Sequence, residues 1–256
     1  MKDPQTKSIA QSYDDYFEFG LYDTRYPRAN KRVLKLISQL INKHNVTNVL
    51  DFGCGNGRYL APLLNKTSST FMGFDISKVA LAKASALQVI HPKRLKLFNK
   101  HDALQQHIVK EGAPALTMLL FGVLGHIKVE QQRISLLKWL NRNMAENGRI
   151  LISVPNRNRR FFCHQLSNTS NKSDIEYERN YLGKKIPLYY HLFSKQELKK
   201  HLEMAGFEVE RVVAESMLPE SWVIHSPSLS LLDEILCQIL PASFGYGLIA
   251  IAGRAK

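Results

Sequence analysis

Val49-Leu50-Asp51-Phe52-Gly53-Cys54-Gly55-Asn56-Gly57 is the stretch that decides the fold. An apolar run ends in Asp51, and glycines then stand at alternate positions, Gly53, Gly55 and Gly57. Residues 58–66 can continue as a helix. A strand feeding a glycine-rich turn and then a helix is how α/β proteins bring backbone close to a nucleotide-like ligand. Glycine permits the tight turn and carries no side chain to block the approach. The spacing is D-x-G-x-G-x-G, not the G-x-G-x-x-G of dinucleotide-binding turns. A carboxylate directly ahead of the glycines suits a ligand with a cationic end rather than a pyrophosphate.

Working outward, Thr70-Phe71-Met72-Gly73-Phe74-Asp75 reads as an apolar strand closed by a second carboxylate, 24 residues after Asp51. That is close to the roughly 20-residue spacing at which a ribose-binding acid follows a glycine turn. A carboxylate there can accept from both ribose hydroxyls, and charge-assisted bonds of this kind are about twice as strong as neutral ones. A third strand is expected over 94–98, leading into His101-Asp102-Ala103, where Asp102 could accept from an adenine amino group. Three acids thus close three successive strand-like segments, and in a doubly wound sheet such ends share one crevice. The alternative is that these aspartates cap helices, a role Asp also favours. A cationic, nucleoside-bearing ligand of this description is S-adenosylmethionine, whose amino group and sulfonium are both positive.

The segments VLDFGCGNGRYL at 49–60, GFDIS at 73–77, HDA at 101–103 and GRILISVPN at 148–156 resemble the class I S-adenosylmethionine-dependent methyltransferases of the UbiE-like and type 11–12 kind. The resemblance covers roughly residues 10 to 215. It implies a Rossmann-like, doubly wound α/β fold with a seven-stranded sheet, the last strand antiparallel and helices on both faces. It also implies S-adenosylmethionine as cofactor, held by Asp51, Gly53, Cys54, Gly55, Gly57, Asp75, Ile76, Asp102, Ala103 and Phe121. In such families a tyrosine-rich lead-in, here Tyr13, Tyr16, Tyr22 and Tyr26, folds over the cofactor, and Arg25 would pair with its carboxylate. Simple packing of those aromatics is the competing reading. The resemblance does not supply the methyl acceptor.

Composition agrees with a globular α/β chain. Its 256 residues, 45% hydrophobic, can bury one sizeable core, and residues 1–256 read as a single domain with a helical lead-in over 1–44. Cys54, Cys163 and Cys237 stand apart, with no C-x-x-C, so neither a disulfide framework nor a metal site is expected. The first residues carry no apolar signal core and no uncharged stretch approaches 18 residues, so a cytoplasmic protein without a transmembrane segment is expected. The net charge of +13 permits attraction to nucleic acid or anionic lipid.

Further along, apolar residues at helical spacing mark a helix over 30–44, and 115–121 reads as a buried parallel strand. His126 follows in the turn where methyltransferases of this class line the transfer site. Its ordinary pKa near 6.5 suits a general base, and capping the expected helix over 129–145 is the alternative. The N/D-P-P-Y/F tetrapeptide typical of enzymes that methylate exocyclic base nitrogens is absent at this turn, which disfavours a planar nitrogen acceptor.

Two insertions are expected. Residues 156–193, after the strand 149–154, interleave basic and aromatic side chains in a cap suited either to solvent or to phosphate contact plus base stacking. Within it, the run from Leu188 to Leu198 resembles a segment of the tRNA wobble-uridine carboxymethyl methyltransferases. That resemblance implies acceptor-side roles for Tyr190 and His191, and RNA as a possible partner. Residues 216–243, between strands expected at 207–214 and 246–252, form an apolar helical insertion flanked by Pro227 and Pro241. It could lid a pocket, form a dimer contact, touch lipid or pack on the core.

The expected function is methyl transfer from S-adenosylmethionine to an oxygen or carboxylate of a small or amphipathic, lipid-like anionic acceptor, with His126, His191 and Tyr190 as candidate catalytic residues. Methylation of an RNA base, or a non-catalytic role as a cofactor-binding partner, are the alternatives.

Overall fold

The computed structural model describes residues 4–167, 173–181 and 183–255. In chain order the elements are α1 (Pro4–Glu18), α2 (Leu21–Arg25), α3 (Lys31–Lys43), β1 (Asn48–Phe52), α4 (Leu60–Lys66), β2 (Thr70–Phe74), α5 (Lys78–Ile90), β3 (Leu95–Phe98), α6 (His101–Glu111), β4 (Leu116–Leu119), α7 (Glu130–Arg142) and β5 (Arg149–Pro155). They are followed by α8 (Phe162–Ser167), β6 (Asp174–Tyr181), β7 (Lys184–His191), α9 (Lys195–Met204), β8 (Phe207–Ser216), α10 (Glu220–His225), α11 (Pro227–Ile239) and β9 (Gly247–Arg254). Single 3-10 turns lie at Val123–His126 and Ala242–Phe244.

Seven strands form one sheet in the order β3-β2-β1-β4-β5-β9-β8. Strands β1 to β5 run parallel, and β9 is antiparallel to both β5 and β8. This is the expected Rossmann-like α/β sheet with its last strand reversed. The chain winds outward from β1 through β2 and β3, then returns to the other side of β1 with β4. That reversal is the switch point at which open α/β sheets bind ligands beyond the strands' carboxyl ends.

Both faces of the sheet are covered, which explains why its strands read as unbroken apolar runs. Successive side chains of β1 point to opposite faces. Leu50 and Phe52 pack with Leu104 of α6, Leu137 of α7 and Leu198 of α9, whereas Val49 packs with Ile37 of α3 and Leu63 of α4. Helix starts are set by short polar side chains. Asn30 accepts from the Arg32 amide, Ser77 from that of Ala80, Ser194 from that of Glu197 and Ser226 from that of Leu229. Each such cap is worth about 1 kcal/mol.

The insertions have structure of their own. Residues 156–193 hold α8 and an antiparallel hairpin of β6 and β7, with Asp174 opposite His191 and Tyr181 opposite Lys184. Alternate residues of β7, Ile186, Leu188 and Tyr190, are buried, the period-two signature of a half-buried strand. The hairpin packs with α1, α2 and α10 into a roof whose core is Tyr16, Phe17, Tyr22, Tyr26, Ile186, Leu188 and Ile224. The expected helical insertion over residues 216–243 holds two helices, α10 and α11. Asp233 of α11 accepts from the Met217 and Leu218 amides at 2.7 and 2.8 Å, clamping the helix to the end of β8. The opposite side of α11 leaves Leu231, Leu232, Ile235 and Ile239 exposed. Among the described residues no helix is long and apolar enough to cross a membrane.

Candidate active site

The glycine turn lies between the carboxyl end of β1 and α4. Gly53, Gly55 and Gly57 adopt φ of +90°, +55° and +80°, the left-handed region that L side chains rarely enter. Space is restrictive as well: a Cβ on Gly53 would collide with a Val123 methyl, one on Gly55 would meet the Phe17 ring at 3.1 Å, and one on Gly57 a Leu87 methyl at 2.6 Å. The turn is held from below by the Gly53 and Cys54 amides, which both donate to the Phe74 carbonyl at the end of β2. Asp75 completes the cradle. Its Oδ2 accepts from the Gly55 amide at 2.7 Å and its Oδ1 from the Ser77 amide at 2.9 Å, so one carboxylate joins two βα turns.

Above these turns opens a cavity of about 350 Å³. Gly53, Gly55, Asp75, Ile76 and Phe121 all line it, as five of the residues expected to hold the cofactor. Phe17 and Tyr22 close it from the roof, and Phe74, His101 and Leu136 form an apolar far end. His101 is packed against Trp139, with ring centroids 4.3 Å apart, and burial lowers its pKa. The other expected cofactor residues lie elsewhere. Asp51 and Cys54 are buried beneath the turn, and Gly57 abuts Leu87 of α5. Asp102 is exposed in the first turn of α6, where a carboxylate favours the helix dipole, and Ala103 follows it there. The side chain that reaches the cavity from this segment is His101. Arg25 stays outside the cavity, its Nε donating to the Tyr26 hydroxyl at 3.0 Å.

Burial dominates the electrostatics. Asp51 has an enclosed Oδ1 without a hydrogen-bond partner, and burial, reinforced by the Asp75 charge, raises its pKa to about 7. Asp75 is pushed up to about 6, again mainly by burial, with its backbone donors pulling the other way. A carboxyl pair kept at this tension favours a cation nearby. Glycine backbone, a ribose-height carboxylate, an apolar slot and an unsatisfied acid together fit S-adenosylmethionine, whose site this cavity would form. That molecule supplies a methyl group already activated on sulfur.

At the mouth of the cavity His126 meets Tyr13 of α1. The Tyr13 hydroxyl hydrogen-bonds Nε2 of His126, and Nδ1 lies 2.9 Å from the Tyr189 carbonyl. A carbonyl can only accept, so Nδ1 carries the proton and Nε2 presents its lone pair to the phenol. Burial, which outweighs that backbone bond, lowers the His126 pKa to about 4 and keeps the ring neutral. Burial, with the neighbouring tyrosines, raises that of Tyr13 well above its usual value. Tyr13, His126 and Ile9 also line a second, more open cleft of about 710 Å³ that runs along Tyr177 and Tyr189 of the hairpin. The two spaces therefore meet at the Tyr13–His126 pair.

Tyr190 stacks beside His126, centroids 4.3 Å apart, with its hydroxyl 3.5 Å from the Phe121 carbonyl. Phe121 itself has φ of +61° at the end of β4, a strained conformation of the sort that concentrates at functional sites. His191 is turned away. Its Nδ1 lies 2.8 Å from Asp174 and its Nε2 2.6 Å from Glu197, so both ring nitrogens are engaged and the ring ties β6 to α9. Some of the charged and aromatic residues of the cap have partners as well. Lys128 pairs with Glu176 and Lys185 with Glu178, while Phe161, Tyr177 and Tyr190 pack against one another.

Sequence reasoning missed Tyr13 as a partner of His126 and His101 as a cavity residue. It also missed Arg58, which α4's entry buries against Glu220 of α10 at 3.1 Å. The lead-in's Tyr13 carried a signal, an aromatic in a segment expected to fold over the ligand, but nothing tied it to a histidine 113 positions away.

A family model described as "Methyltransferase domain" matches residues 22–212. No curated protein matches in sequence. Among solved structures, an S-adenosylmethionine-dependent methyltransferase from Clostridium acetobutylicum is similar with a TM-score of 0.64 at 13% identity, over 94% of this chain and 99% of the other. The 1,6-didemethyltoxoflavin-N1-methyltransferase of Burkholderia thailandensis, with its substrate and S-adenosylhomocysteine bound, gives 0.58 at 16% identity, over 100% and 92%. An amino pentose methyltransferase of Micromonospora echinaspora gives 0.55 at 13% identity, over 92% and 97%. At these identities the likeness speaks for the fold.

Proposed function

The chain belongs to the methyltransferase-domain family, and from that premise we propose that it moves the methyl group of S-adenosylmethionine to a hydroxyl oxygen of a small anionic acceptor held in the cleft beyond Tyr13. The observation that carries this reading is the Tyr13–His126 pair, standing where the cofactor cavity and the open cleft meet. A hydroxyl gives up a proton when it is methylated. The Tyr13 oxygen can accept that proton from the acceptor while its own passes to Nε2 of His126, which is free to take it because the ring is neutral. Gly53, Gly55 and Asp75 position the cofactor, and the roof of Phe17, Tyr22 and Phe121 excludes water. The remaining work is orientation, which can supply a large share of the barrier in a transfer between two bound groups.

Transfer of labelled methyl to a panel of hydroxylated carboxylates and phosphates tests the reading. His126→Gln should lower kcat by about 100-fold or more, the usual contribution of a positioned base, with cofactor affinity unchanged. Wild-type kcat should be flat with pH above about 6, because His126 is already deprotonated there. A full-rate His126→Gln enzyme would remove the base. Tight cofactor binding with no transfer to any acceptor class would favour the non-catalytic role.

A further inference from the structure

A third space, shared by neither step above, lies behind Phe121 and Tyr190. It is a chamber of about 50 Å³ lined by Arg160, Arg179, Tyr177, Tyr190, Tyr246 and Glu220 among others, and it shares Tyr13 and Phe121 with the cofactor cavity. Its charges do not balance. Glu220 is taken by Arg58. Among the described residues neither Arg160 nor Arg179 makes an ion pair, and the Nε atom of each is enclosed without a hydrogen-bond partner. What they have instead are aromatic faces: Arg160 lies 4.5 Å from the Tyr246 ring centroid and 5.7 Å from that of Tyr190, and Arg179 lies 5.3 Å from that of Tyr177. Glu215, buried close by, is only partly ionised near neutrality, since burial and then the Glu220 charge raise its pKa to about 7. Two guanidinium groups thus line a chamber whose one lining carboxylate is already paired with Arg58.

A guanidinium with a buried, unpartnered N–H and no counter-ion carries a cost that grows with its burial, and proteins resolve such a cost by pairing it. Arginine's planar fork matches a carboxylate or phosphate, and its charge-assisted bonds to such groups are the strong ones. The surrounding phenols stay protonated, since burial raises the pKa of Tyr177 to about 12 and that of Tyr190 further, so each can donate an O–H bond. We propose that this chamber binds the anionic group of the methyl acceptor, a carboxylate or a phosphate, between Arg160 and Arg179. The inference rests on the methyltransferase reading above and names the acceptor's class. The chamber has room for one oxyanion rather than a whole ligand. The rest of the acceptor then extends past Tyr13 and Tyr190, which places its hydroxyl beside the proton-accepting pair.

The test titrates benzoate and inorganic phosphate, separately, into protein saturated with S-adenosylhomocysteine, by calorimetry and by thermal shift. Wild type should bind at least one of the two saturably. Arg160→Gln and Arg179→Gln should each weaken that binding by about tenfold or more, the scale of one lost charge-assisted bond, with S-adenosylhomocysteine affinity held within about twofold. Arg179 is partly exposed on β6, so its variant should keep the wild-type melting temperature even if the Arg160 variant does not. Benzoate binding alone assigns the chamber to carboxylates, and phosphate binding alone to phosphates. The proposal is overturned if neither anion binds, or if binding ignores both substitutions. It is equally overturned if Arg160→Gln weakens S-adenosylhomocysteine instead, because the guanidinium then belongs to the cofactor's own carboxylate. Wild type that binds no S-adenosylhomocysteine would sink the underlying methyltransferase reading, a separate result.

Discussion

Asp51→Asn should make the cofactor-free protein more stable, increasingly so as pH rises. Asp51 is buried at the end of β1 with an unpartnered Oδ1, and its pKa is raised from the ordinary 3.8 to about 7. The folded state therefore holds its proton more tightly than the unfolded chain does. By linkage, the penalty for ionising it is absent below the unfolded pKa, grows as pH rises and is complete above the folded one. With pKa values of 3.8 and about 7, the penalty is about 2 kcal/mol at pH 5 and about 4 kcal/mol at pH 8. Asparagine fills the same space without an ionisable group. The stability gap between variant and wild type should thus widen by about 2 to 3 kcal/mol between pH 5 and pH 8. Urea denaturation of both apo proteins at those two pH values measures it. In parallel, cofactor affinity should change by less than about twofold, because Asp51 lies beneath the turn and does not line the cavity. A variant less stable than wild type at pH 8, or a gap that does not change with pH, would refute the reasoning. The first result would mean that Asp51 is a satisfied structural carboxylate, the second that it ionises normally in the fold.

Two further outcomes follow from burial. Glu220→Gln leaves Arg58 enclosed between the glycine turn and α10 without its carboxylate, and should cost about 3–5 kcal/mol in a denaturation series. A loss under 1 kcal/mol would show that Glu215 replaces it. Ile235→Asp places a charge on the outer side of α11, where the side chain is 48% exposed, so stability should change by no more than about 0.5 kcal/mol. A loss above 2 kcal/mol would reassign that side of the helix to the core.

What could be read from the chain, and what could not, divides along one physical line. The glycine turn and Asp75 were legible because backbone geometry demands them. A turn with three left-handed positions in five residues admits little but glycine, and the acid closing β2 bridges both turns. The sheet was legible for a similar reason, since parallel strands covered on both faces leave unbroken apolar runs. Asp102 fits the same surface pattern as Asp51 and Asp75, yet it begins a helix, and a helix start and a ligand contact call on the same residue types. A resemblance gave His191 an acceptor-side role; the structure holds it between Asp174 and Glu197, and such a histidine is indistinguishable in sequence from a free one.

The acceptor side obeys no comparable rule. Tyr13 with His126, Arg58 with Glu220, and Arg160 with Tyr246 are joined across 113, 162 and 86 positions, by tertiary contact rather than by a local pattern. The hairpin announces itself only weakly, through alternate burial in β7, and α10 is too short to show a face. Loops can diverge without disturbing the sheet that carries them, which is what lets one cofactor fold serve many acceptors. The same freedom erases any backbone requirement from which the acceptor could be inferred. The anion site proposed at Arg160 and Arg179 rests on tertiary placement alone, and that is why the anion titration, rather than further reading of the sequence, is the measurement that tests it.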